Sequence, residues 1–219
     1  MDRARQLSAE SIAGGDPTGW FERLYTEGEA GESVVPWILG TTNPVLADWA
    51  AGRSGAGKRA LVVGCGTGED AEFLAGLGFT VTAFDLAPTA IAAARRIHAG
   101  SAVTYEAADL LALPSAWAGA FDLVFEAYTV QPLFGPVRAA ALAALRGPVA
   151  PGGTLLVVAF ATEETSPERS PAMMPWPLTR DEIDLAGGEL HAVSVELLPI
   201  GNEPLPHLPH WRAEFHRST

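Results

Sequence analysis

Apolar residues in this chain fall in short continuous runs separated by Ala- and Leu-rich stretches. Arg59 to Val63, Phe79 to Phe84, Ala102 to Glu106, Phe121 to Ala127 and Thr154 to Ala161 read as strands. Continuous apolar strands of this kind are buried on both faces of a sheet. Thr67 to Leu77, stopped by Gly78, reads as a helix, and so does Ala87 to His98, with Pro88 in its first turn and Gly100 beyond its end. Pro136 to Val149 reads as a third helix, ended by Pro151-Gly152-Gly153. Further on, Glu189 to Leu198 alternates like a strand, and Trp211 to His216 reads as another. Strands alternating with helices predict an α/β domain with a mostly parallel, doubly wound sheet.

Two regions break this rhythm. Residues 1–50 precede the first strand and hold Trp20 and Trp37 in polar surroundings, with a helix start at Thr42-Asn43-Pro44 running on to Ala50. Residues 162–178 contain four prolines together with Met173, Met174 and Trp176, which suits an irregular, lid-like loop. The expected organisation is one domain over residues 1–219, with an N-terminal cap at 1–50, a ligand-binding core at 59–161 and the loop at 162–178.

Composition narrows the function classes. Hydrophobic residues are 48% and charged residues 18% of the 219, enough apolar material for a large core. The net charge of −12 repels phosphate backbones, so unspecific nucleic-acid binding is not expected. One cysteine, Cys65, excludes an internal disulfide framework and suits a reducing compartment. The longest apolar run, Thr154 to Ala161, is far short of the roughly 20 residues that span a bilayer. The first residues carry arginines but no apolar h-region. A cytoplasmic protein without a membrane partner is the expectation.

The informative segment is Leu61 to Gly68, where a strand runs into Gly64-Cys65-Gly66-Thr67-Gly68 and a helix follows. Glycines there let a ligand approach backbone N–H groups at a helix N-terminus. The spacing is G-x-G-x-G. Glu69 stands where the dinucleotide fingerprint has its third glycine, and no Gly-Lys-Ser/Thr follows as in a P-loop. Asp85 ends the second strand, where a carboxylate accepts from both ribose hydroxyls and repels a 2′-phosphate. Asp109 follows the third strand, placed either to accept from an adenine amino group, with the backbone of Leu110 beside it, or to cap a turn. Three such features at successive strand ends share one carboxyl edge.

These residues resemble a known family. VVGCGTGEDAEFLAGLGFTVTAFDLAPTAI is similar to motif I and the acidic strand of class I S-adenosylmethionine-dependent methyltransferases. EAADLLALP, FDLVFEAYTVQPL and LRGPVAPGGTLLVVAF are similar to the later motifs, so the resemblance covers about residues 59–161. A narrower likeness is to the thiopurine and thiol methyltransferases, through Trp20, Pro36-Trp37-Ile38-Leu39-Gly40 and Gly64-Cys65-Gly66-Thr67-Gly68-Glu69-Asp70, with Ile38 where that group has Asp. The resemblance implies a Rossmann-like seven-stranded sheet whose last strand is antiparallel, S-adenosyl-L-methionine as cofactor, and methyl transfer to a small-molecule acceptor. It implies that Trp20, Trp37, Gly64, Cys65, Gly66, Gly68, Asp70, Asp85, Leu86, Asp109 and Leu110 surround the cofactor. It also places the substrate-facing arginine of thiopurine methyltransferases at Arg138.

The acceptor side carries fewer signals. Sulfur is the first expectation, because a thiolate needs no general base; oxygen or nitrogen acceptors, which do, come second. Of the five histidines, His98 reads as a surface group at a helix end, and His207 and His210 as a solvated loop rather than a metal pair. No metal site is expected. Glu126 and Tyr128, past the fourth strand, are the local catalytic candidates beside Arg138. Glu126 reads as a holder of the cofactor ammonium or of a backbone turn, and Tyr128 as a packing or acceptor-lining residue. Trp37, Tyr128, Met173 and Trp176 are the candidates for acceptor binding. Two rivals stand beside methyl transfer: an NAD-dependent oxidoreductase, and a nucleoside-cofactor-binding regulator without turnover.

Overall fold

The computed structural model describes residues 1–164, 169–170, 174–199 and 208–219. Among the described residues, seven strands form one sheet: β1 (Arg59–Val63), β2 (Thr80–Asp85), β3 (Thr104–Ala107), β4 (Phe121–Ala127), β5 (Val149–Phe160), β6 (His191–Leu198) and β7 (His210–His216). Their order is β3-β2-β1-β4-β5-β7-β6. The first five pair in parallel, and β7 runs antiparallel to both β5 and β6. The chain reverses its winding between β1 and β4, the switch point at which open α/β sheets place a crevice at the strand C-termini.

Burial follows the period of two along the strands. Leu61 and Val63 of β1 join one apolar cluster with α6 (Pro136–Ala144) and α7 (Arg180–Gly187). Ala60 and Val62 join a second cluster, on the opposite face, with α3 (Pro44–Trp49), α4 (Glu69–Gly76) and α5 (Pro88–Ile97). A sheet buried on both faces needs every strand position apolar, which explains the unbroken runs in the sequence.

Residues 1–50 fold as a helical cap. The expected start at Asn43 is present: its side chain accepts from the backbone N–H of Val45 at 2.9 Å, and Pro44 opens α3. Two further helices, α1 (Asp2–Ala13) and α2 (Trp20–Glu29), were not legible as elements. Their apolar residues Leu7, Trp20 and Leu24 form a third cluster with Met174 and Trp176, joining the cap to the segment after β5.

Two boundaries differ from the sequence pattern. Helix α6 ends at Ala144, ahead of Gly147-Pro148, because a proline disfavours helical backbone in the residue before it. The segment Pro151-Gly152-Gly153 does not close a helix; it lies inside β5, where the register against β4 slips between Phe121 and Leu123. A Cβ at Gly153 would lie 2.8 Å from the Phe121 carbonyl oxygen, so this close strand approach requires glycine.

Arg138 is a structural hub. It lies buried on α6, away from the large cavity described below. Its Nε donates to Glu182 Oε1 at 2.6 Å, Nη1 to the carbonyl of Gln131 at 2.9 Å, and Nη2 to the carbonyl of Trp176 at 3.1 Å. Glu182 in turn completes a capping box with Thr179 at the start of α7. The arginine therefore fastens the β4–α6 loop to the segment entering α7 and has no role facing acceptor. Arg138→Met should lower stability by about 3 kcal/mol, because carbonyls and a largely buried carboxylate lose their partner. Urea denaturation checks this; a loss below about 1 kcal/mol would contradict the hub.

Candidate cofactor and acceptor cavity

The loop after β1 turns at Gly64 and Gly66, with φ of +61° and +54°. A side chain at Gly64 would collide with Thr129, at 2.3 Å from its Oγ1. A side chain at Gly66 would meet the Tyr25 hydroxyl at 3.1 Å. Both positions thus require glycine for backbone shape and for space. Gly68, also left-handed, lies beneath Tyr105 and begins α4 rather than lining the cavity. His98 was expected at the surface, yet its ring stacks on Tyr105 and its Nε2 lies 3.0 Å from the Thr67 carbonyl oxygen, propping the loop from outside.

Asp85 holds this loop. Its Oδ2 accepts from the Gly66 N–H at 3.0 Å and its Oδ1 from the Ala87 N–H at 2.9 Å. The carboxylate is buried, and burial pushes its pKa up to about 6 against the pull of those backbone donors. Each oxygen keeps a second lone pair for a ligand hydroxyl. Asp70 also lines the cavity, but its Oδ1 accepts from the Asn43 N–H at 2.7 Å, joining α4 to the cap. Burial raises its pKa to about 6 as well. Cys65 lines the cavity with its thiol pushed well up by burial and by the Asp85 charge, so it stays protonated and is no nucleophile.

The cavity measures about 510 Å³ and opens at the carboxyl edge of the sheet. Leu86, Asp109 and Leu110 line it, as expected from the ends of β2 and β3. Asp109 also caps the short turn Leu110–Ala112, its Oδ1 accepting from the Leu111 N–H at 2.8 Å. The opposite walls are apolar. Trp37 lines the cavity with its Nε1 donating to the Tyr25 hydroxyl at 2.9 Å. Phe21, Tyr25, Phe160, Met174 and Pro175 complete the rings and thioether facing it.

Several candidates lie elsewhere. Trp20 is fully buried and stacks behind Phe21 at 4.0 Å between ring centroids; Phe21 takes the place expected of the tryptophan. Trp176 is core, tilted on Phe134, with its Nε1 donating to the Ser170 carbonyl at 2.9 Å. Met173 and His207 fall outside the described residues, as do parts of the loop 162–178. Glu126 is wholly buried and does not line the cavity; its Oε1 accepts from the N–H groups of Thr129 at 2.7 Å and Val130 at 3.1 Å. Of the two roles open to it, the backbone turn is the one present.

Tyr128 lines the cavity and adopts φ +60°, the one left-handed non-glycine among the described residues. Such backbone costs of order 1–3 kcal/mol and collects at functional sites. Its ring packs on Phe160 at 5.1 Å and on His210 at 5.8 Å, and its buried hydroxyl has no hydrogen-bond partner among the described residues. His210 is a correction: it opens β7 and is buried, and desolvation lowers its pKa so that the ring stays neutral. Phe21, Tyr25 and Arg5 also line the site and were missed. The i,i+4 spacing of Phe21 and Tyr25 along α2 was the available signal. Among the described residues, no group of three or more His, Cys, Asp or Glu gathers to hold a metal. No helix there is long and apolar enough to cross a membrane.

Comparison with known proteins agrees with this geometry. Residues 60–153 match a family described as a methyltransferase domain. The chain is 30% identical over 172 residues to a probable thiol methyltransferase 2 of Arabidopsis thaliana, covering 75% of this chain and 70% of that one. It is 40% identical over 89 residues to a ubiquinone biosynthesis O-methyltransferase of Xanthomonas axonopodis pv. citri, covering 39% of this chain and 37% of the relative. The match thus spans well under half of that relative's length. A solved structure from work on the conversion of a disulfide bond into a thioacetal group during echinomycin biosynthesis is 26% identical, with a TM-score of 0.70 over 90% of this chain and 92% of that one. The N-methyltransferase NodS of Bradyrhizobium japonicum WM9, in complex with S-adenosyl-L-homocysteine, shares the fold at a TM-score of 0.64 and 20% identity over the whole of both chains.

The buried carboxylates generate a pH prediction. Burial raises Glu126 from an ordinary 4.5 to about 7, so the folded chain holds a proton that the unfolded chain releases. This contribution to stability is full below pH 4.5 and is lost as pH rises through 7. Glu126→Gln should flatten that decline, most clearly between pH 5 and 7. Denaturation midpoints of both proteins across this range check it; parallel curves would contradict it.

Proposed function

The chain belongs to the class I S-adenosylmethionine-dependent methyltransferases, and we propose that it transfers the cofactor's methyl group to a small thiol acceptor. The residues present fit the cofactor. The glycine turn at Gly64 and Gly66 lines the cavity with backbone alone, in left-handed conformations. Asp85 offers two free lone pairs at the strand tip for ribose hydroxyls. Asp109 and Leu110 border the place for the adenine, and Asp70 stands beside the loop. When bound, the cofactor would supply a sulfonium methyl group for transfer to the acceptor.

One observation carries the choice of sulfur. Among the described residues, no histidine lines the cavity, and its carboxylates lie at the glycine loop and at the ends of β2 and β3. Glu69 is engaged by the Thr67 hydroxyl at 2.8 Å, and Asp70 by Asn43. A thiol ionises in water near neutral pH without a dedicated base, whereas an alcohol does not. Phe21, Trp37, Phe160 and Met174 supply a wall of low polarity, which favours the meeting of a thiolate with a sulfonium. The extent of the likeness to the thiol methyltransferase supports the same reading, since it runs beyond the cofactor core. Oxygen is the second reading, favoured by the O-methyltransferase likeness, which is confined to a shorter stretch.

Mass spectrometry of a matched panel of aryl thiols, phenols and amines with S-adenosylmethionine tests the proposal. S-methylation is expected; methylation of phenol or amine alone would move the assignment to oxygen or nitrogen, and no turnover with any acceptor would favour a binding regulator. Asp85→Ala should raise the dissociation constant for S-adenosylhomocysteine by roughly ten- to hundredfold through lost charge-assisted hydrogen bonds. In the unaltered protein affinity should weaken as pH falls through 6, because the protonated Asp85 loses its charge. Calorimetry between pH 8 and 5 checks both, and Asp85→Asn should remove this contribution to the pH dependence.

A further inference from the structure

Among the described residues that line the cavity, Arg5 is the one basic side chain. Glu69, Asp70, Asp85 and Asp109 also line it, and Arg5 pairs with none of them. Its one ion pair is a loose contact of 3.9 Å with Asp2, whose side chain is fully exposed. Contacts of that kind are screened and contribute little. The guanidinium is nevertheless fixed: Nε donates to the Met174 carbonyl at 2.8 Å, tying α1 to the segment whose Met174 and Pro175 also line the cavity. The Nη groups keep their donors for something else. A guanidinium anchored at Nε presents a planar fork that suits the two oxygens of a carboxylate.

We infer that Arg5 is a specificity-determining residue, and that the acceptor is an apolar thiol bearing an anionic oxygen group such as a carboxylate. This rests on the thiol reading above for the reacting atom. The apolar body would lie against Phe21, Trp37 and Met174 with its anionic group on the Arg5 fork. The carboxylates around the glycine loop repel an acceptor that enters the wrong way round, so attraction and repulsion orient it together. The same chemistry is present in the methionine carboxylate of the cofactor, and the experiment separates the two sources.

The test uses the full chain saturated with S-adenosylhomocysteine and titrated with 4-mercaptobenzoate and its uncharged partner 4-mercaptobenzamide. The unaltered protein should bind the carboxylate at least about tenfold more tightly. Arg5→Gln should level the two while leaving the affinity for S-adenosylhomocysteine unchanged, and Arg5→Lys should restore only part of the preference. Equal binding of the two thiols, binding of neither, or a preference untouched by Arg5→Gln would overturn the inference. Weakened S-adenosylhomocysteine binding in Arg5→Gln would also overturn it, by assigning Arg5 to the cofactor carboxylate. In a parallel assay with S-adenosylmethionine in place of S-adenosylhomocysteine, an Arg5-dependent preference without S-methylation would sustain the anion site and overturn the thiol reading. S-methylation of both compounds without preference would do the reverse.

Discussion

The carboxylate of Asp85 receives the Gly66 N–H on one oxygen and the Ala87 N–H on the other, and by doing so it joins the turn after β1 to the turn after β2. The shape of the cavity depends on that clamp. Together with the Cys65 N–H, which donates to the Phe84 carbonyl at 2.9 Å, it fixes the glycine loop against the end of β2. The clamp is costly to maintain, since burial opposes the charge and raises the pKa to about 6. A group that reaches the two remaining lone pairs with hydroxyls offsets this cost, which links the stability of the loop to occupancy of the site.

The rest of the molecule supports that edge from three sides. The cap adds Tyr25 and Trp37, held to each other by an indole hydrogen bond of 2.9 Å, so an aromatic wall stands over the glycines. The segment after β5 adds Met174 and Pro175, with Trp176 anchoring it in the core and Arg138 holding its carbonyls. The turn after β4 is fixed from within by Glu126, which precedes the strained backbone of Tyr128, a residue lining the cavity. Carboxylates lie at the glycine loop and the neighbouring strand tips, and apolar rings form the opposite walls. That division suits the proposed transfer from a charged donor to an ionised acceptor.

The sheet was legible because both of its faces are buried, so that each strand from β1 to β5 carries a continuous apolar run. The glycine loop, Asp85 and Asp109 were legible because a tight glycine turn and carboxylates at the neighbouring strand tips converge on one edge of a parallel sheet, where a ligand binds. The cap was legible only where a local cap signal exists, at Asn43. Helices α1 and α2 show their apolar faces only against each other and against Met174, and the sequence alone does not bring those partners together. Tryptophans in a polar stretch suggested ligand contact, yet Trp20 and Trp176 are core: a large ring near a site packs behind it as readily as it lines it. Arg138 failed for a related reason, since its many carbonyl partners come from loops that are distant in sequence. Arg5 gave no signal, because a single arginine on an exposed-looking helix has many ordinary roles.

The central claim is that the loop clamped by Asp85 is a site for S-adenosylmethionine and not for a dinucleotide. Calorimetric titration of the purified chain with S-adenosylhomocysteine and, separately, with NAD tests it most directly. One saturable site for S-adenosylhomocysteine and no detectable heat of binding with NAD are expected. Saturable binding of NAD, or no binding of S-adenosylhomocysteine by the folded protein, would contradict it.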